Sequence, residues 1–328
     1  LAPTSGAMGY GVPAAVAAGL SPLEVGSDAA GSIRIPSHFC GVYGLKPTED
    51  RVSGAGHGEL PDRPPGGLRH LVSFGPLARS VADLRMALSV LEGPDPRRVE
   101  VPPVPPVARR PDLPRPESMR IAWMDELPHG PTSAGTSEVV RAAAHALEAA
   151  GCRVERVAPQ HFEIEEALAT WGEINGFEMG AMTPAPIRLL IRNTTFLGLG
   201  RTRWTRGLRS GFGMNGPRYI TALTTRERLI AELEAFLGGF DAWLLPVAAV
   251  PAFRHMRSGK TLDVDGTSVP YTTAVGSYAA PFNLTGSPAV SLPAGDSAEG
   301  LPIGVQLVGR RWDDDHLLAV AERVAEIL

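Results

Sequence analysis

The chain has 328 residues, a formal net charge of −4 and 44% hydrophobic residues, the composition of an ordinary soluble globular protein. The near-balanced charge argues against a general nucleic-acid binder or a membrane-surface protein, and no run of about 18 apolar residues offers a transmembrane helix. Two cysteines, Cys40 and Cys152, form no CxxC pair, which argues against a disulfide scaffold or a cysteine zinc site and points to a reducing, cytoplasmic compartment.

In chain order, residues 1–12 (LAPTSGAMGYGV) read as a small-residue loop. The chain starts at Leu1 rather than Met and carries no signal peptide of the expected form, so the N-terminus reads as incomplete. Pro13 suits the first turn of a helix that ends near Gly19. Pro22–Val25 reads as a short buried strand, followed by the Gly/Ser-rich stretch GSDAAGSIRIP. Ser80 with Asp83 forms a capping box ahead of Leu84, Leu88 and Leu91 at helical spacing, with Gly93 as the stop. Residues 94–118 contain nine prolines and read as a surface linker. Arg120–Met124, a helix over 137–150 and Cys152–Val157 give a strand–helix–strand rhythm, the mark of an α/β protein. Residues 163–237 read as mainly helical. Ala242–Val247, Ala289–Leu292 and Ile303–Val308 read as buried strands, and Asp313–Leu328 as a closing helix. No internal repeat is present.

The chemistry concentrates in residues 26–36. Small residues at 29–31 let main-chain N–H groups converge, a geometry able to stabilise an oxyanion. Ser32 brings a hydroxyl that can act as a nucleophile, and Asp28 can accept neighbouring N–H groups and hold the loop. A plain tight turn before a strand explains the same residues equally well.

The wider context favours the first reading. Residues 14–48 (AAVAAGLSPLEVGSDAAGSIRIPSHFCGVYGLKPT) resemble the signature segment of the amidase-signature family. The resemblance continues through 73–96, 240–253, 280–295 and 300–321, and the ordered DxxGSIRxP…GLKPT string is far more specific than a short motif. It implies a large twisted mixed β-sheet covered by helices on both faces, as one domain over residues 1–328 with the N-terminal part missing. It implies a hydrolase that cleaves carboxamide C–N bonds through a serine acyl-enzyme, in which a neutral lysine draws a proton through a bridging serine on a cis peptide bond. Carried onto this chain, Ser32 is the nucleophile. Ala29, Ala30, Gly31 and Ser32 supply the oxyanion hole, and Asp28 and Arg34 support the loop. No cofactor or metal is implied. The expected partner is a small-molecule amide, with no membrane, no expected nucleic acid, and a homodimer left open.

The sequence departs from the family pattern in three places. Counting back from Ser32, Met8 stands where the bridging serine belongs, and a thioether has no proton to relay. Ala30 replaces the usual glycine, which would add about 1–2 kcal/mol of strain if that position needs a positive φ. The family's lysine lies upstream of Leu1. Of the two lysines present, Lys46 belongs to the structural GLKPT motif and Lys260 to a polar stretch. The chain as written is therefore expected to be impaired, or to be a non-catalytic relative that binds a ligand or partner.

Other readings carry less. GYGVPA (9–14) matches GxGxxA but lacks the preceding strand of a dinucleotide site. His38 lies near Ser32, yet no GxSxG elbow is present and packing explains it better. HExxH is absent. Residues 188–228 hold nine arginines against one acid, Glu227, which reads as a solvated basic face or as an anion-attracting surface near the substrate entrance. Pro246–Val250 and FNLTGSP (282–288) are expected to border the cleft through the resemblance.

Overall fold

A mixed eight-stranded sheet organises the chain. The computed structural model describes residues 11–57, 69–128, 130–194, 202–254 and 260–328. The strands are β1 (Leu23–Asp28), β2 (Tyr43–Lys46), β3 (Ser73–Ala78), β4 (Arg120–Trp123), β5 (Arg153–Arg156), β6 (Ala242–Pro246), β9 (Ala289–Asp296) and β10 (Pro302–Val308). A separate hairpin pairs β7 (Thr261–Val264) with β8 (Thr267–Pro270). The sheet order is β1-β3-β2-β9-β10-β6-β4-β5. Among the described residues only β4 pairs in parallel, with β5 and with β6; the other ladders are antiparallel.

The helices are α1 (Gly11–Ala17), α2 (Arg34–Cys40), α3 (Val81–Leu91), α4 (Ala134–Ala149), α5 (Ile164–Ala181), α6 (Ala185–Thr194), α7 (Arg203–Gly211), α8 (Gly216–Leu237), α9 (Tyr271–Gly276), α10 (Ala280–Leu284) and α11 (Asp314–Ile327). Strand β6 shows why helices cover both faces. Successive side chains on a strand point to opposite sides. Ala242 and Leu244 pack with Val140, Leu147 and Leu318 of α4 and α11, whereas Trp243 and Leu245 pack with Leu168, Leu229 and Leu233 of α5 and α8. A strand buried on both faces reads as a continuous apolar run, as AWLLP does.

On the second face, α5 and α7 touch backbone to backbone. A Cβ on Gly172 would lie 2.5 Å from the Trp204 carbonyl oxygen, and one on Gly211 would lie 2.8 Å from the Phe177 nitrogen.

The expected α/β class and the helical 163–237 region match the structure. The capping box at α3 forms as read: the Asp83 N–H donates to Ser80 Oγ at 3.1 Å. The strand expected at Pro22–Val25 runs further, through Gly26, Ser27 and Asp28, and is only partly buried, and the turn after it leads into α2 at Arg34, not into a strand. The Pro-rich stretch has little regular structure, yet it is pinned. Val101 and Val107 are buried, and Arg51 Nη2 donates to the Pro105 carbonyl at 2.9 Å.

Candidate active site

Strand β1 ends at Asp28, and the chain then turns through Ala29–Ile33 into α2. Asp28 is fully buried and organises the turn. Its Oδ1 accepts the Gly31 N–H at 2.7 Å, and its Oδ2 accepts the Ile33 N–H at 3.2 Å and the Arg34 N–H at 3.4 Å. The Arg34 guanidinium closes on the same carboxylate from the far side, Nε to Oδ2 and Nη2 to Oδ1, both at 3.0 Å. Neither side chain is exposed to solvent. Burial alone would raise the Asp28 pKa, but the charge and hydrogen bonds of Arg34, with help from Lys46 and Asn283, bring it down to about 2.

The remaining Arg34 donors are also satisfied. Nη1 reaches Gln306 Oε1 at 3.0 Å, and Nη2 reaches Asn283 Oδ1 at 2.6 Å and the Ala279 carbonyl at 3.0 Å. Gln306 in turn donates to the Pro246 and Tyr278 carbonyls at 2.9 and 2.8 Å. Asn283 Nδ2 approaches the Asp28 carbonyl at 2.7 Å, Asp28 Oδ1 at 2.9 Å and the Leu71 carbonyl at 3.0 Å. This network ties the turn to β6, β10 and α10. A buried charged pair is costly unless its remaining donors and acceptors find partners, and here they do.

Gly31 has φ +108°, and a Cβ there would lie 2.6 Å from Ala279 Cβ and closer still to Ile35 Cδ1. Only glycine fits both the conformation and the space. Ala30 differs: it is not among the residues with positive φ, and it is buried against the second-face core. The strain considered for alanine at this position is absent. Ser32 is partly accessible at the head of α2. The Ala29 carbonyl accepts the Trp171 indole N–H at 2.9 Å, which fixes the turn against α5. Of the four expected oxyanion donors, the Gly31 N–H is engaged by Asp28 in this structure. Met8 lies outside the described residues.

Lys46 and Lys260 are far apart in character. Lys260 is exposed. Lys46 is fully buried, with Nζ 3.1 Å from the Pro47 carbonyl and 3.4 Å from Ser73 Oγ. Burial and the like charge of Arg34 lower its pKa to about 7, against the pull of Asp28, Glu49 and Asp314. His38 is a packing residue, as read. The Gly304 N–H donates to Nδ1 at 2.7 Å, Nε2 lies 3.0 Å from the Val250 carbonyl, and burial lowers the pKa to about 4. A neutral imidazole satisfies both contacts.

A cleft of about 610 Å³ opens beside the turn, lined among others by Ser27, Ala29, Asp50, Arg69, His70 and Arg226. Burial and the neighbouring Glu49 carboxylate raise the pKa of Asp50 to about 6, and its backbone sits at φ +63°. Several arginines of the basic stretch are neutralised by acids on neighbouring helices or one turn along their own. Arg203 pairs with Glu165, Arg218 with Glu173, and Arg228 with Glu166 and Glu232. That favours the solvated basic face over a free anion-attracting surface. Among the described residues no cluster of His, Cys, Asp or Glu suits a metal ion, and no helix is long and apolar enough to cross a membrane.

The sequence singled out Asp28 and Arg34, which the structure joins in one network, but not the polar groups that complete it, Asn283 and Gln306. The 280–295 and 300–321 stretches of the resemblance contain Asn283 and Gln306 without singling them out, and no local pattern marks Trp171 or the acids facing the cleft.

Comparison with known proteins agrees with this architecture. The glutamyl-tRNA(Gln) amidotransferase A subunit of Deinococcus radiodurans is 31% identical over 95% of this chain and 65% of its own length. The 6-aminohexanoate-cyclic-dimer hydrolase of Paenarthrobacter ureafaciens is 30% identical over 96% of this chain and 64% of its own. Among solved structures, a 6-aminohexanoate cyclic dimer hydrolase complexed with substrate superposes with a TM-score of 0.74 at 28% identity, covering 97% of this chain and 67% of that one. The corresponding amidotransferase protein of Thermotoga maritima gives 0.73 at 28% identity, covering 96% and 64%. The chain thus spans just under two thirds of the length of the curated relatives it matches. The Amidase family model matches residues 3–318, and with a relative above 30% identity along nearly the whole chain, this protein belongs to the Amidase, or amidase-signature, family.

Proposed function

We propose that this chain carries the nucleophile half of a carboxamide C–N hydrolase, with Ser32 attacking the carbonyl carbon to give an acyl-enzyme that water then hydrolyses. The observation that supports this reading best is the turn built by Asp28. A buried carboxylate, locked by Arg34, gathers three main-chain N–H groups and leaves Ser32 partly accessible at the mouth of the turn. By engaging those groups Asp28 fixes the shape of the turn, and a main chain fixed in advance is what an oxyanion hole requires. The developing oxyanion is assigned to the N–H groups of Ala29, Ala30, Gly31 and Ser32, with Gly31 sharing its donor between Asp28 and the substrate. Lys46 is committed to Pro47 and Ser73 and is not assigned as the base that activates Ser32.

The test is labelling of the full-length gene product with a fluorophosphonate probe. Labelling of wild type and none of Ser32→Ala is expected, and equal labelling of both rejects the assignment. Met8 motivates a second reading, a family member that has lost the proton relay and retains the pocket for binding. Under that reading Met8→Ser leaves the full-length protein inactive, whereas a large gain of amide hydrolysis overturns it.

A further inference from the structure

The cleft beside the nucleophile turn contains a histidine held in a fixed orientation. The Glu178 carboxylate of α5 is buried and accepts four donors. The Arg69 and His70 N–H groups approach Oε2 at 2.9 and 3.3 Å, while His70 Nδ1 and the Tyr219 hydroxyl approach Oε1 at 2.6 and 2.7 Å. Burial would raise the Glu178 pKa, but the hydrogen bonds from His70 and Tyr219 hold it below its ordinary value. An ionised carboxylate accepts only, so the proton of a neutral His70 ring sits on Nδ1. The lone pair of Nε2 then points away from Glu178, and no partner for Nε2 occurs among the described residues. The side chain is 27% exposed and lines the cleft together with Ser27 and Ala29.

The segment that carries the ring is equally constrained. Leu71 is fully buried at φ +75°, a conformation that costs a non-glycine residue energy and persists only where its surroundings enforce it. Its N–H donates to Glu49 Oε1 at 2.7 Å, and its carbonyl accepts from Asn283, the same amide that holds Asp28. One side chain thus fixes both the nucleophile turn and the histidine beside it.

We propose that His70 is a substrate-binding residue of this cleft, whose Nε2 lone pair accepts a hydrogen bond from the N–H of the scissile amide and so favours substrates that carry one. This inference rests on the hydrolase reading above. Esters and N,N-disubstituted amides offer no such donor, so the discrimination is between chemical classes and not between sizes. A site that hydrogen-bonds a substrate N–H leaves its own acceptor unpaired when an analogue lacks it.

The experiment uses the full-length gene product with 4-nitroacetanilide and 4-nitrophenyl acetate, which share one acyl group. In His70→Leu the anilide-to-ester ratio of kcat/KM is expected to fall by about tenfold, the worth of one good hydrogen bond. His70→Gln keeps an acceptor near the ring's far edge and is expected to recover part of the ratio. A ratio unchanged in both variants overturns the role of His70. Hydrolysis that survives Ser32→Ala, or is absent from wild type, overturns the hydrolase reading itself, so the two failures are separable.

Discussion

Asp28 and Asp125 are both gripped by arginines, and their settings differ. Asp28 meets Arg34 with both side chains at 0% exposure. Asp125, just after β4, meets Arg141 at 2.8 Å and Arg156 at 2.7 Å, but those arginines are 43% and 53% exposed. The hydrogen-bond chemistry is the same. What differs is where each arginine goes when its partner is lost: Arg141 and Arg156 remain hydrated, whereas Arg34 or Asp28 would be left as an uncompensated charge inside the fold. The lesson is that the site's rigidity comes from desolvation, which makes every partner in the network obligatory, and not from the number of ion pairs.

The sharpest way to break that contrast is Arg34→Met. Leaving Asp28 buried without its cation should cost about 3–5 kcal/mol, measured by urea denaturation. If the cost comes from the orphaned charge, Asp28→Asn combined with Arg34→Met should be less destabilising than the sum of the two single changes. An additive double mutant would show that the pair acts through packing alone.

Gly31→Ala probes the same turn through its backbone. The added methyl meets Ala279 and Ile35 at a φ of +108°, so both strain and overpacking apply. A loss of about 2–4 kcal/mol is expected. The change should also displace Ser32, so labelling by a serine probe should fall further than the unfolded fraction accounts for. Ala30→Gly is the matched control, since Ala30 has no positive φ to relieve.

These positions also show what the sequence could and could not reveal. Strand β6 was legible because AWLLP is apolar without interruption and buried on both faces. Strands β2 and β3 were not, because glycines interrupt them. A Cβ on Gly75 would land on the Leu45 carbonyl, and one on Gly44 would lie 2.9 Å from Ile33 Cγ2. Close approach demands the residue that local pattern reads as loop. Likewise, Asp28, Ser32 and Arg34 fall within one short stretch and could be read together. Asn283, Gln306 and the Glu178–His70 pair join the site only through the tertiary fold, at separations of more than a hundred residues, and no local spacing records such a meeting.

Acid titration sharpens the comparison by separating buried groups in pH. His38 has an ordinary pKa of 6.5 and about 4 in the fold, because burial disfavours its charged form. Above 6.5 both states are neutral. Between 6.5 and 4 the unfolded chain binds a proton that the folded one does not, so stability falls as pH falls, by about 3 kcal/mol in all. Asp28 acts in a lower window. Its stabilisation is present above 3.8 and is lost as pH drops toward 2. The urea midpoint should therefore decline in two steps. His38→Gln, which can still donate and accept, should flatten the upper step and leave the lower one.

The smallest effect expected is at the exposed pair of arginines. Asp125→Ala removes a carboxylate that is itself only 6% exposed, yet both partners keep water within reach. Side-chain burial of Asp125 argues for a sizeable loss, while the hydration of Arg141 and Arg156 argues for a small one. Measured exposed pairs fall between about 0.2 and 1 kcal/mol. If hydration of the partner decides, Asp125→Ala should cost about 1 kcal/mol or less, and 0.5 M salt should narrow the gap to wild type, because surface charges are screened over a few ångströms at that strength. A cost approaching that of Arg34→Met, insensitive to salt, would mean that burial of the carboxylate alone sets the price, and the contrast between the two sites would then lie in Asp28 rather than in Arg34.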